Sequence, residues 1–166
     1  MPAKKESGIT RKVIGVLTVL LVIFILIMMR LVSGIQGTAR VVNYAGLVRG
    51  GTQRWIKMEI TGNPRDKMME AVESYIDGLQ NGSEDLGLVR LKDAKYQAKV
   101  EEQKEYFQKL KEEVQHVRES GYDNTNIIED SETFFQICDD ATGLAEAYSQ
   151  RKASQLDILE KVVTVD

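Results

Sequence analysis

The chain has 166 residues, 43% of them hydrophobic, with 22 Lys and Arg against 25 Asp and Glu and a formal charge of −3. Glu6 is the one acidic residue before position 33, so the acidic excess belongs to the remainder of the chain, and such a surface argues against nucleic acid as a partner. The single cysteine, Cys138, cannot form an internal disulfide, and its apolar neighbours Phe135 and Ile137 predict a buried thiol.

Residues 13–29 contain no charge and are rich in Leu, Ile, Val and Met, which meets the length needed to cross a bilayer as a helix. Arg30 closes the stretch. Lys4, Lys5, Arg11 and Lys12 precede it and predict a cytoplasmic tail over residues 1–12, a transmembrane helix over 13–32 and export of residues 33–166 from the cell membrane. A cleaved leader is the rival, but the apolar run is long for one and no small-x-small site follows closely. A pilin-type leader would carry an acidic residue early in its apolar helix, where Val13 stands.

The exported part has one proline, Pro64, and the pattern predicts long helices. A first helix continues from the span to about Ile60, with Val41, Ala45, Val48, Thr52 and Ile56 on its core face. Asn63 and Pro64 read as N-cap and first residue of a second helix, which carries Met68, Met69, Val72, Tyr75, Ile76 and Leu79 and stops at Asn81-Gly82-Ser83. The segment to about Lys92 reads as a partly helical connection. Tyr96, Val100, Gln103, Phe107, Leu110, Val114 and Val117 then alternate at four and three residues, a coiled-coil seam with Gly121 as C-cap. The fourth helix starts near Asn124 to Asn126 and carries Ile128, Phe134, Phe135, Ile137, Cys138, Leu144, Ala145, Tyr148, Leu156, Leu159 and Val163. No strand pattern competes.

These readings predict an all-α chain, a transmembrane helix continuing into an antiparallel up-down-up-down four-helix bundle. The fourth helix should return toward the membrane. A second span is expected to follow it if the domain reports inward, so the sequence is read either as a piece of a longer receptor or as a single-pass protein.

On the first exported helix, Val42, Asn43, Gly46, Arg49, Gly50, Gln53, Arg54 and Lys57 form a broad stripe of small and hydrogen-bonding residues beside the core face. Glycine inside a helix costs roughly 1 kcal/mol relative to alanine, so Gly46, Gly50 and Gly51 call for a compensating contact. The spacing of Gly46 and Gly50 allows close approach of another helix, and the simplest candidate is the same helix of a second subunit. In such a homodimer each Arg49 faces its symmetry mate, and a small anion relieves the repulsion through charge-assisted hydrogen bonds. The alternative is that Arg49 and Arg54 pair with acidic residues of neighbouring helices.

The run from Val42 to Arg49 with Thr52, Gln53 and Arg54 resembles the first-helix signature of the exported sensor domain of nitrate/nitrite sensor kinases, and is similar to the amino-terminal domain of type IV pili methyl-accepting chemotaxis transducers. The resemblance implies a dimeric four-helix bundle between two spans, an input domain of bacterial signal transduction that passes helix displacement to a cytoplasmic output. It implies that Arg49, the arginine after Ala45-Gly46-x-x, binds the anion at the dimer interface. Asn43, Gly46 and Arg54 also match, and Gln53 and Gly50 complete the expected ligand-binding set. Gly50 and Gly51 stand where the nitrate sensors carry larger residues, which leaves the choice of anion open.

An enzyme is disfavoured. His116 is the only histidine, it lies in the surface pattern of the third helix without the proline expected after a phosphoacceptor, and neither a thiol pair nor a phosphate loop is present. No cofactor and no metal is expected. The remaining alternative is a membrane-anchored helical scaffold that pairs with another protein and binds no small ligand.

Overall fold

The computed structural model describes residues 3–163, with the side chains of residues 8–158 and of Lys161. Among them four α-helices are present, α1 (Ala3–Ile60), α2 (Asp66–Asn81), α3 (Ala94–Ser120) and α4 (Ile127–Val163), with a 3-10 turn at Tyr122–Asn124 before the last. The chain divides into two units, residues 1–35 and 36–166.

In the first unit many of the described apolar side chains are exposed. Ile14, Leu17, Leu21 and Leu26 are all more than half exposed. Among the described residues this is the one helical segment long and apolar enough to cross a membrane.

The second unit is an all-α antiparallel bundle, and its side-chain pairs give the direction of every helix. Along α1 and α4, Thr38 meets Ser149, Arg49 meets Asp139 and Gln53 meets Ser131, so numbers rise on one helix as they fall on the other. The same holds for α3 and α4, where Lys99 pairs with Asp140, Gln103 with Cys138 and Lys109 with Asp130. It holds also for α2 and α3, through Glu73 with Lys111 and Asp77 with Lys104. Tyr44 on α1 meets Tyr75 on α2 edge to face at 5.0 Å, while Gly51 lies against Val72. The order is therefore up, down, up, down.

All seven seam positions of α3 are buried. They close on Val41, Ala45, Val48 and Ile56 of α1, on Val72, Ile76 and Leu79 of α2, and on Ile127, Phe134 and Ala145 of α4. Trp55, Phe107 and Phe134 form an aromatic chain through this core at 5.5 and 5.8 Å. Ile128, among the apolar residues that α4 carries, is 57% exposed.

The helix boundaries differ from expectation at α2. It begins at Asp66, with Arg65 before it and no side-chain cap. Asn63 is used differently: its backbone N–H donates to Met58 O at 2.9 Å and its side chain to Thr61 O, so it finishes α1 instead of starting α2. The connection after α2 is not helical. Ser83 and Leu88 exchange backbone hydrogen bonds at 2.9 and 2.7 Å, Gly87 takes φ +62°, and the turn drops Leu88 and Leu91 into the core. Asp93 then caps α3 by accepting from Tyr96 N at 2.9 Å, and Gly121 ends it at φ +80°.

Candidate functional site around Arg49

Arg49 projects from α1 toward α4, where its guanidinium pairs with the Asp139 carboxylate and lies 5.5 Å from the centre of the Phe135 ring. The three side chains make one cluster because Phe135 and Asp139 are four residues apart on α4 and so share a face. The pair is open to solvent, with Arg49 35% and Asp139 55% exposed. Within one chain, then, Arg49 takes the partner on a neighbouring helix that the alternative reading anticipated. Arg54 does not: it is exposed and has no acidic partner among the described residues.

The other residues of the expected set lie along the same helix without converging on Arg49. Gln53 is half-buried and donates from Nε2 to Ser131 O at 3.1 Å, which ties α1 to α4 one turn beyond Arg49. Asn43 and Gly50 are exposed and Gly46 is half-buried. A Cβ added at Gly46 or Gly50 would meet nothing within 4 Å, so no contact inside the chain requires either glycine. Gly51 is the opposite case. A Cβ there would come within 2.9 Å of Val72 Cγ2, so this glycine sets the approach of α2 to α1.

Beneath Arg49 the core is polar at one level. Gln103 Nε2 donates to Cys138 Sγ at 3.0 Å, both residues being fully buried. Burial pushes the Cys138 thiol up to about 12, against smaller opposing effects of the Gln103 hydrogen bond and the Arg49 charge. The thiol is thus buried, as its neighbours in sequence predict, and burial keeps it protonated. His116 is exposed, also as expected.

Sequence reasoning missed the most highly connected polar group, Glu59. Its side chain is fully buried at the end of α1, where it accepts from Trp55 Nε1 at 2.9 Å, from Arg118 at two points and from Arg65 N at 3.4 Å. A signal for it existed: Glu59 lies eighteen residues, five helical turns, beyond Val41 and therefore shares its core direction. Among the described residues no group of three or more His, Cys, Asp or Glu is placed to hold a metal ion.

No protein-family model, curated protein or solved structure matches this chain.

Proposed function

We propose that the chain is the extracytoplasmic input domain of a bacterial transmembrane receptor, anchored by the apolar part of α1 and responding to a small anion at Arg49. The observation that carries this reading is a guanidinium held beside the core by a partner that water already reaches. Exposed ion pairs contribute only about 0.2–1 kcal/mol, so an incoming anion displaces Asp139 at little cost while keeping the Phe135 ring as a backstop. Exchange of Asp139 for the anion alters one of several contacts between α1 and α4 and would bias their relative displacement, the change such a receptor would transmit to a cytoplasmic output. The basic cluster from Lys4 to Lys12 supports a cytoplasmic amino terminus. The open positions at Gly46 and Gly50, with Asn43 and Arg54 beside them, support a homodimer through this helix that would bring two Arg49 side chains to one anion.

The Arg49–Asp139 pair equally favours a second reading, a membrane-anchored scaffold in which Arg49 is structural and no small ligand binds. Thermal melting of the full chain in detergent, with nitrate, nitrite, other small anions and carboxylates, separates the two. At a hundred times the dissociation constant linkage adds about 2.7 kcal/mol. Arg49→Ala should abolish that gain, and Arg49→Lys should restore little of it, because an ammonium lacks the paired planar donors. Stabilisation by none of these anions favours the scaffold, and an unchanged response in Arg49→Ala places the site elsewhere.

A further inference from the structure

A second surface of the bundle carries chemistry that the anion reading does not use. Where α1 approaches its end, a groove of about 760 Å³ runs between it and the first turns of α4, a size suited to a small organic ligand. Ile56, only 3% exposed, lies against the groove on one side, and Ile128, 57% exposed, on the other. Lys57 stands on the α1 wall, and Glu129 and Glu132 on the α4 wall. Gln53 ties the walls together through Ser131 O.

The charges across this groove do not satisfy one another. Lys57 and Glu129 form no ion pair with any described residue, and the Glu132 carboxylate accepts only the Gln136 amide at 3.2 Å, one turn along its own helix. Lys57 in the last turn of α1 and Glu129 in the first turn of α4 suit their helix ends. That preference explains neither Glu132 nor the exposed Ile128 on the same wall of the groove. A lone carboxylate entering the groove would meet Lys57 but be repelled by two glutamates. A lone amine would satisfy the glutamates and leave Lys57 unmet.

We propose that this groove binds an amino acid with an apolar side chain. The carboxylate of the ligand meets Lys57, its ammonium meets Glu129 and Glu132, and its side chain covers Ile128 above the Ile56 floor. The ligand thereby ties α1 to α4. This site is independent of Arg49, and either can fail without the other.

The test uses the full chain in detergent micelles, with thermal melting and calorimetric titration against L-leucine, L-isoleucine, L-methionine and L-phenylalanine. Two half-molecules of leucine, 4-methylpentanoate and isopentylamine, serve as controls for its two charges. At least one of the four amino acids should raise the melting temperature saturably, and each half-molecule should need more than tenfold higher concentration for the same shift. Lys57→Ala, and the double variant Glu129→Gln with Glu132→Gln, change exposed side chains and should weaken binding at least tenfold. Arg49→Ala should leave this response unchanged, and Lys57→Ala should leave any nitrate response unchanged. Absence of a shift with all four amino acids overturns the proposal, as does a shift that the half-molecules reproduce or that survives Lys57→Ala.

Discussion

Glu59 and Arg118 join the end of α1 to the end of α3 by a two-point ion pair, Nε to Oε2 at 2.9 Å and Nη2 to Oε1 at 2.7 Å. The same Nη2 reaches Asp66 at 2.6 Å, so the first residue of α2 is held too. One guanidinium thus fastens three helices at one end of the bundle. Removing one partner of a buried pair costs about 3–5 kcal/mol, and the Glu59 side chain is fully buried while Arg118 is 28% exposed, which puts the expected cost at the low end. Arg118→Met should therefore lower stability toward urea by about 3 kcal/mol. A loss no larger than that of an ordinary surface substitution would show that Trp55 and Arg65 N–H suffice for Glu59.

The same pair governs the response to acid. Burial alone would raise the Glu59 carboxyl, but the hydrogen bonds from Arg118, Trp55 and Arg65 N–H together bring it below its ordinary value of 4.5. A carboxyl with a depressed folded-state pKa contributes stability that is present above the unfolded value and is lost as pH falls through the folded one. Wild-type melting temperature should accordingly decline below pH 4.5, and Glu59→Gln should flatten that decline. In Arg118→Met the main force lowering the carboxyl is gone, so the gap between variant and wild type should narrow as the buffer is taken from pH 7 toward pH 4. A gap of constant width would mean that Glu59 does not titrate in this range.

Three glycines of α1 should respond differently to the same methyl group. Alanine is the better helix former by roughly 1 kcal/mol, and nothing in the chain obstructs a Cβ at Gly46 or Gly50. Gly46→Ala and Gly50→Ala should raise the stability of the isolated protomer by a few tenths to about 1 kcal/mol. If the open stripe is a dimer face, both should also weaken self-association in analytical ultracentrifugation. At Gly51 the added methyl meets Val72, so Gly51→Ala should gain nothing or lose stability. Equal effects at all three positions would contradict the α1–α2 packing described above.

Cys138 should resist thiol reagents in the folded chain, because its sulfur is buried, bonded to Gln103 and kept protonated. Labelling with a chromogenic disulfide at pH 8 should proceed only at the rate of unfolding and become fast in denaturant. Rapid labelling of the native chain would place the thiol at the surface.

How far each feature could be read from the sequence depended on how local its cause is. The α3 seam and the core face of α1 follow from periodicity within one helix, and every position named from that periodicity is buried. The start of α2 was displaced because Asn63 has two possible uses, and its bond to Met58 O decides between them only in three dimensions. The turn over residues 82–93 depends on a Ser83–Leu88 exchange that no periodicity announces. At the candidate site, Arg49 was singled out by its neighbours along α1. Its partner Asp139 lies ninety residues away and is brought near by antiparallel packing alone. The same is true of the groove at Lys57, whose opposite wall belongs to α4.

Trp55 is the only tryptophan in the chain, and it is fully buried between Phe107 and the Glu59 carboxylate. Its emission is therefore a built-in optical probe of one location, the end of the bundle that Arg118 fastens. A native chain should emit at the short-wavelength end of the indole range and shift to longer wavelength only when that end admits water. Comparison of this signal with circular dichroism, which averages over all the helices, would show whether the fastened end opens together with the rest of the bundle or holds out after the other helices have frayed.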